Sequence, residues 1–255
     1  MRIEASLAIR YIRREIRDLT ESDRVAFFDA MGKIWNVSST VGQKLFKSSD
    51  YIGMDELDRI HAVEAGYDKS CDHWHGGMGF LPQHVVLSIV FEKSLQAVNP
   101  AVSLPFYDFV RDGQWILDER GGNVSAIAEA TIFQDDWFGF VPADGGKTQQ
   151  IANGRWASIN ITRNIWSDAN EYSNGSRVVH NSYGLLRSPW NNNNLLHISR
   201  SMASVCGAPP LTHPIPSCAT YARLFELPSW AQFAWEAPTE GHGRTRVPAA
   251  SKVRS

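Results

Sequence analysis

The chain has no long apolar run. No stretch is long and apolar enough to span a bilayer. Arg2, Arg10, Arg13, Arg14 and Arg17 interrupt the first nineteen residues, so Met1 to Leu19 lacks the continuous apolar core of a signal peptide and reads as a helix instead. Cysteine is scarce. Cys71, Cys206 and Cys218 are too few for a disulfide framework. Cys206 and Cys218 are spaced to close a short loop in an oxidising compartment; two free buried thiols are the other reading. Charge of one sign is lacking as well. With 25 Lys and Arg against 27 Asp and Glu, the net charge is -2 with no large run of one sign, and nothing favours nucleic acid or an anionic membrane as a partner. There is no internal repeat, which excludes a solenoid.

What remains is an ordinary globular composition in a chain of 255 residues, long enough to bury a substantial core. The nine Trp are read as core packing and surface caps. Glycosylation-type triplets begin at Asn36, Asn123, Asn160 and Asn174, a hint that a longer parent protein is secreted.

Helical periodicity dominates the first hundred residues. Arg13 to Trp35 forms the first helical region. Within it Thr20 precedes Asp23 as in a capping box, and Val25, Phe28, Met31 and Trp35 recur at helical spacing. A second helix over Met54 to Ala65 carries His61. Cys71 to Gly79 is a Gly-rich loop. Pro82 then opens a third helix that runs to about Val98, because its missing N–H falls where an N–H would have no partner, and Asn99-Pro100 ends it. From Gly113 onward Gly, Asn, Asp and Pro divide the pattern. Ala126 to Phe140, Asn160 to Trp166 and the Pro189-Trp190-Asn191 region read as loops with short strands or turns. Pro228 to Trp235 reads as one more short helix, capped by Ser229. The tail, His242 to Ser255, is basic and almost without apolar pattern, and is expected to be disordered.

The chemistry concentrates in one stretch, Cys71-Asp72-His73-Trp74-His75-Gly76-Gly77-Met78-Gly79-Phe80-Leu81-Pro82-Gln83-His84. His75 precedes a helix and His84 lies in its first turn. The Gly-rich turn between them lets the backbone fold back so that both imidazoles reach one point. His61 on the preceding helix supplies a third. Three neutral imidazoles on facing helices suit copper, zinc or iron without a carboxylate or thiolate. A tetrahedral zinc site from Cys71, His73 or His75, and His84 is the competing arrangement.

In order along the chain, His75-Gly76-Gly77, Phe80-Leu81-Pro82-Gln83-His84, Phe91-Glu92, Leu95, Asn99-Pro100 and Leu104-Pro105-Phe106-Tyr107-Asp108 resemble the first copper-site signature of tyrosinases, polyphenol oxidases and hemocyanins, the type-3 copper proteins. The nine-position step between the second and third ligands is kept. The match covers about Arg13 to Phe109 and continues more loosely through Gly139, Trp156, Trp190-Asn191 and Ser229-Trp230. The resemblance implies a mainly α fold, the helical-bundle core of the type-3 copper proteins with long loops and a few short strands. It implies copper as cofactor, with His61, His75 and His84 as metal ligands. It also implies a phenolic substrate and dioxygen, with mono- and o-diphenols oxidised to quinones.

The chain departs from the family pattern in three places. The family's Trp-His-Arg is Gln83-His84-Val85 here, which alters what surrounds the ligand. Where some fungal and plant relatives carry a thioether-forming Cys two positions before the second ligand, this chain has His73. Finally, the family's second copper site needs H-x-x-x-H on one helix and a further His well beyond it. Thr239-Glu240-Gly241-His242-Gly243 resembles the start of that motif, yet the fourth position after His242 is Arg246 and no His follows. His242 is therefore a doubtful lone ligand of a second site, and the helices of that site are incomplete. His180, His197 and His213 fall where the family has intervening loop. Residues 1–241 are thus expected to form a partial tyrosinase copper-binding domain and 242–255 a disordered tail. Since the family binds dioxygen between two coppers that each take one electron, the expected function is copper binding with weak or no phenol oxidation. A non-catalytic metal-binding fragment is the alternative.

Overall fold

The computed structural model describes residues 11–54, 56, 57, 60, 61, 64, 74, 79–140, 151, 153–157, 179, 180, 186, 187, 215–233 and 236. They are mainly helical, as the resemblance implies. The chain divides into two compact units, Met1–Gly53 with Ser88–Tyr107 and Met54–Leu87 with Asp108–Ser255.

In the first unit, α1 spans Glu21–Asn36 and α2 spans Ser39–Phe46. Thr20 caps α1 as its spacing to Asp23 predicts: the Asp23 N–H donates to Thr20 Oγ1 at 3.2 Å. The helix does not extend back to Arg13. Glu15 makes a parallel bridge to Phe106, and only Ile16–Asp18 turn, as a single 3-10 turn. Ile16 N–H donates to Phe106 O at 2.9 Å and Phe106 N–H to Arg14 O at 3.0 Å, pairings that a helix through Arg14 would forbid. The buried face of α1 is also rotated from the expected one. Phe27, Phe28, Ala30 and Ile34 point inward, while Val25 is exposed. Two adjacent stripes of this helix are apolar, so periodicity alone could not choose between them.

The first unit also holds the far half of α3, the helix Phe80–Val98. Several residues of the copper-site signature act here as structural ties. Glu92 receives Arg13 Nη2 at 2.6 Å and the Leu104 N–H at 2.9 Å. Tyr11 Oη donates to Pro100 O at 2.7 Å, and Ser103 Oγ to Ile12 O at 2.9 Å. Glu92, Pro100 and Ser103 therefore fix the stretch 11–14 against the end of α3 and the residues that follow it.

Burial, the largest influence on the Glu92 carboxyl, pushes its pKa up. The Arg13 hydrogen bonds, the Leu104 N–H and the Arg13 charge outweigh it and hold the group below its ordinary value. A carboxylate with a depressed folded-state pKa stabilises the fold above its unfolded pKa, and that contribution is lost as pH falls through the folded value. Denaturant melts of the wild type should therefore lose stability below about pH 4.3. Glu92→Gln should lose about 1–3 kcal/mol at neutral pH and show a shallower acid slope. Equal acid slopes for both proteins would contradict this account.

In the second unit, residues 54, 56, 57, 60, 61 and 64 are all helical, in keeping with a helix that carries His61. The near part of α3 follows. α4, Phe109–Glu119, begins on Asp108, whose side chain accepts the Val110 N–H at 3.2 Å. This helix contains Gly113, where the sequence pattern suggested a break. A Cβ at Gly113 would run into the backbone carbonyl of Pro216, so the glycine serves a close approach and does not end the helix. Ile116 of α4 packs in a core with Ala126, Ile127 and Ala130, flanked by Trp115, Phe133 and Ile215.

Val124–Glu129 and Thr131–Phe133 are 3-10 turns, so the stretch 126–140 is turned rather than extended. Gly139 and Gly154 both take positive φ, 86° and 84°. Near them Phe138 stacks on Trp156 with ring centroids 6.4 Å apart. β1, Val179–His180, and β2, Leu186–Arg187, form a small antiparallel pair. α5, Cys218–Leu224, follows Ser217. Cys218 on α5 is free and exposed, contrary to the buried-thiol reading, whereas Cys206 lies outside the described residues. Residues 230–233 are helical, with Ser229 Oγ accepting the Gln232 N–H at 3.2 Å, the cap the sequence predicts.

Candidate metal centre

The second unit brings together two of the three histidines singled out in the sequence. α3 starts at Phe80, two residues before Pro82. Pro82 still falls in the first turn, where backbone N–H groups have no partner within the helix. His84 sits one helical step of four after Phe80, and so lies on the same face. The two side chains meet, with ring centroids 4.5 Å apart.

His84 Nδ1 lies 2.8 Å from the carbonyl oxygen of Phe80. A carbonyl only accepts, so Nδ1 carries the proton of that bond. In the neutral ring Nε2 then holds the lone pair. This is how a metal-ligating imidazole is ordinarily held, with one ring nitrogen bound to a backbone carbonyl and the other turned to the metal.

His61 approaches from the helical stretch around 54–64. Its ring centroid lies 5.5 Å from that of His84, and the planes cross at 73°. Two imidazoles bound to one metal at about 2 Å each place their ring centroids roughly 5–6 Å apart. The observed separation lies in that range and also in the range of ordinary edge-to-face ring pairs. Both rings are half-buried, neither sealed in the core nor freely solvated.

Trp74 completes the described part of the centre. It is buried, with its indole centroid 5.4 Å from His61 and 5.6 Å from His84. Phe80, also buried, backs His84. Trp74 and Phe80 lie within the sequence motif, which by itself assigns them no role. The available signal was an indole placed directly between His73 and His75, where a solvated loop would favour a polar residue.

His75, His73 and Cys71 lie outside the described residues, as do His242, Arg246, His197 and His213. Among the described residues no group of three or more His, Cys, Asp or Glu comes together. His180 is in β1.

Residues 52–240 match the family model described as the common central domain of tyrosinase. No curated protein matches the chain. The matched span includes His61, Trp74, His75 and His84, and it ends two residues before His242.

Proposed function

We propose that this chain, which belongs to the tyrosinase family, binds one copper ion through His61, His75 and His84 and oxidises phenols weakly or not at all. The family couples oxidation of phenolic compounds to dioxygen. The observation that carries the copper reading is the His61–His84 pair, with rings 5.5 Å apart and His84 Nδ1 bonded to Phe80 O. The donor set also fits: neutral imidazoles without thiolate or carboxylate suit copper. Copper held by these residues would supply the redox chemistry that, in the family, couples phenol oxidation to dioxygen.

The chain's own residues have separate tasks. His84, oriented by the Phe80 carbonyl, presents Nε2. His61 presents its ring from the facing helical segment. Trp74 and Phe80 supply apolar walls that keep water from that side of the centre. The expectation of weak turnover rests on one position: where the family's second-site motif reads H-x-x-x-H, His242 is followed four residues on by Arg246. A guanidinium there opposes a second cation.

Copper loading of the 255-residue chain followed by metal analysis and a catechol assay tests this reading. About one copper per chain with negligible quinone formation is expected, since imidazole sites of this class use about three His per metal. A ratio near two with sustained quinone formation would overturn the one-metal reading. Zinc in the isolated protein, resistant to exchange by copper, would favour the Cys71, His75 and His84 arrangement instead.

A further inference from the structure

Trp74, His61 and His84 form a nearly equilateral triangle of rings. The centroid separations are 5.4, 5.5 and 5.6 Å, and the planes cross at 88°, 73° and 69°. Each pair is edge-to-face, the arrangement that the ring quadrupole favours. His84 has a second restraint, the Phe80 carbonyl at 2.8 Å. His61, on a different segment, meets both Trp74 and His84 edge-to-face. One buried indole therefore touches both imidazoles, and it comes from neither of the segments that carry them.

We propose that Trp74 is a positioning residue: its indole holds the His61 and His84 rings in the planes from which both present a nitrogen to one metal ion. The inference rests on the copper-binding reading above. An imidazole has two side-chain torsions, and a ring that turns freely must be stilled when the metal binds. A wall shared by both rings meets that entropic cost during folding instead. The indole itself ligates nothing, since its N–H is a donor only.

Trp74→Phe retains an edge-to-face ring, whereas Trp74→Leu retains apolar bulk without one. Copper(I) affinity is measured for each full-length chain by competition with a chromophoric chelator. The Cu(II)-loaded forms are compared by electron paramagnetic resonance. Trp74→Leu should bind copper about 10–100-fold more weakly, the range found for residues that support a ligand. Its hyperfine lines should broaden as the imidazoles sample several orientations. Trp74→Phe should remain within about threefold of the wild type because the ring contact persists.

A merely space-filling Trp74 would lower the thermal midpoint of the Leu variant and leave affinity and line shape unchanged. That result would overturn the proposal. His84→Ala is the control that separates the two readings. If His84→Ala loses copper while Trp74→Leu binds as the wild type does, the positioning role fails and the copper site stands. If His84→Ala binds copper as tightly as the wild type, the site itself is wrong and the role of Trp74 falls with it. Should the Leu variant not fold, Trp74→Met takes its place as an unbranched apolar side chain with the same expected loss.

Discussion

A His84→Ala chain leaves copper loading and desalting without bound copper, while a His197→Ala chain retains it. The substitution removes the Nε2 lone pair that the Phe80 carbonyl orients. It also removes the ring that meets His61 and Trp74. The loss should exceed the roughly 10–100-fold that follows removal of a supporting residue, because a ligand itself is gone. The helix should survive. Position 84 lies inside α3, and alanine is the strongest helix former. Far-UV circular dichroism of the variant should therefore match the wild type, which separates lost ligation from lost fold. His197 falls between the family's site motifs, and nothing in its sequence context marks it as a ligand. Copper retained by His84→Ala, or lost from His197→Ala, would each contradict the assignment.

Much of this centre was legible in the sequence because local rules and the family spacing agree there. Pro82 tolerates only the first turn of a helix, so it placed the start of α3 within two residues of the observed Phe80. The spacing of His84 from the Gly-rich turn then followed. Legibility failed where tertiary contacts override local pattern. Gly113 signals a break by propensity, yet α4 runs through it, and the glycine is required instead by the Pro216 backbone, which leaves no room for a side chain. The arginine-rich stretch before Thr20 suits a helix by composition. It instead pairs with Phe106, a partner about ninety residues away that no local window contains. The signature residues Glu92 and Pro100 illustrate a different gap. They resemble a copper-site motif, but their physical task, tying residues 11–14 to the end of α3, is set by contacts about eighty to ninety residues apart that no local pattern encodes. Trp74 belongs with them: quoted within the motif, it could be given a role only once its contacts with two imidazoles were seen.

Tyr51→Ala should cost the first unit about 3–5 kcal/mol, the range for deleting a large buried aromatic ring. Tyr51 is wholly inaccessible to solvent. Its ring packs on Phe46 with centroids 5.0 Å apart and lies where a Cβ on Gly42 would stand, so α2 is shaped around it. Its hydroxyl donates toward the carbonyls of Lys33 at 3.1 Å and Val37 at 2.8 Å, which lie at the C-terminal end of α1. The Lys33 carbonyl also accepts the Val37 N–H at 2.9 Å, so the hydroxyl adds a side-chain donor to the backbone cap at this helix end. The flanking backbone is fixed as well. Gln43 Nε2 donates to Tyr51 O at 3.1 Å, and the buried Ser94 hydroxyl accepts from Ile52 N at 3.0 Å while donating to Ile52 O at 2.7 Å. Tyr51→Phe separates the two contributions. It keeps the ring and removes the cap, so it should cost only about 0.5–1.5 kcal/mol, with up to about 3 if a carbonyl is left dry. Gly42→Ala should be destabilising from the opposite direction, by about 1–3 kcal/mol, because its methyl group must displace a ring that has nowhere to go. Urea melts of the three variants should rank Tyr51→Ala as the least stable. A Tyr51→Ala chain as stable as Tyr51→Phe would show that the ring does not organise this end of α1.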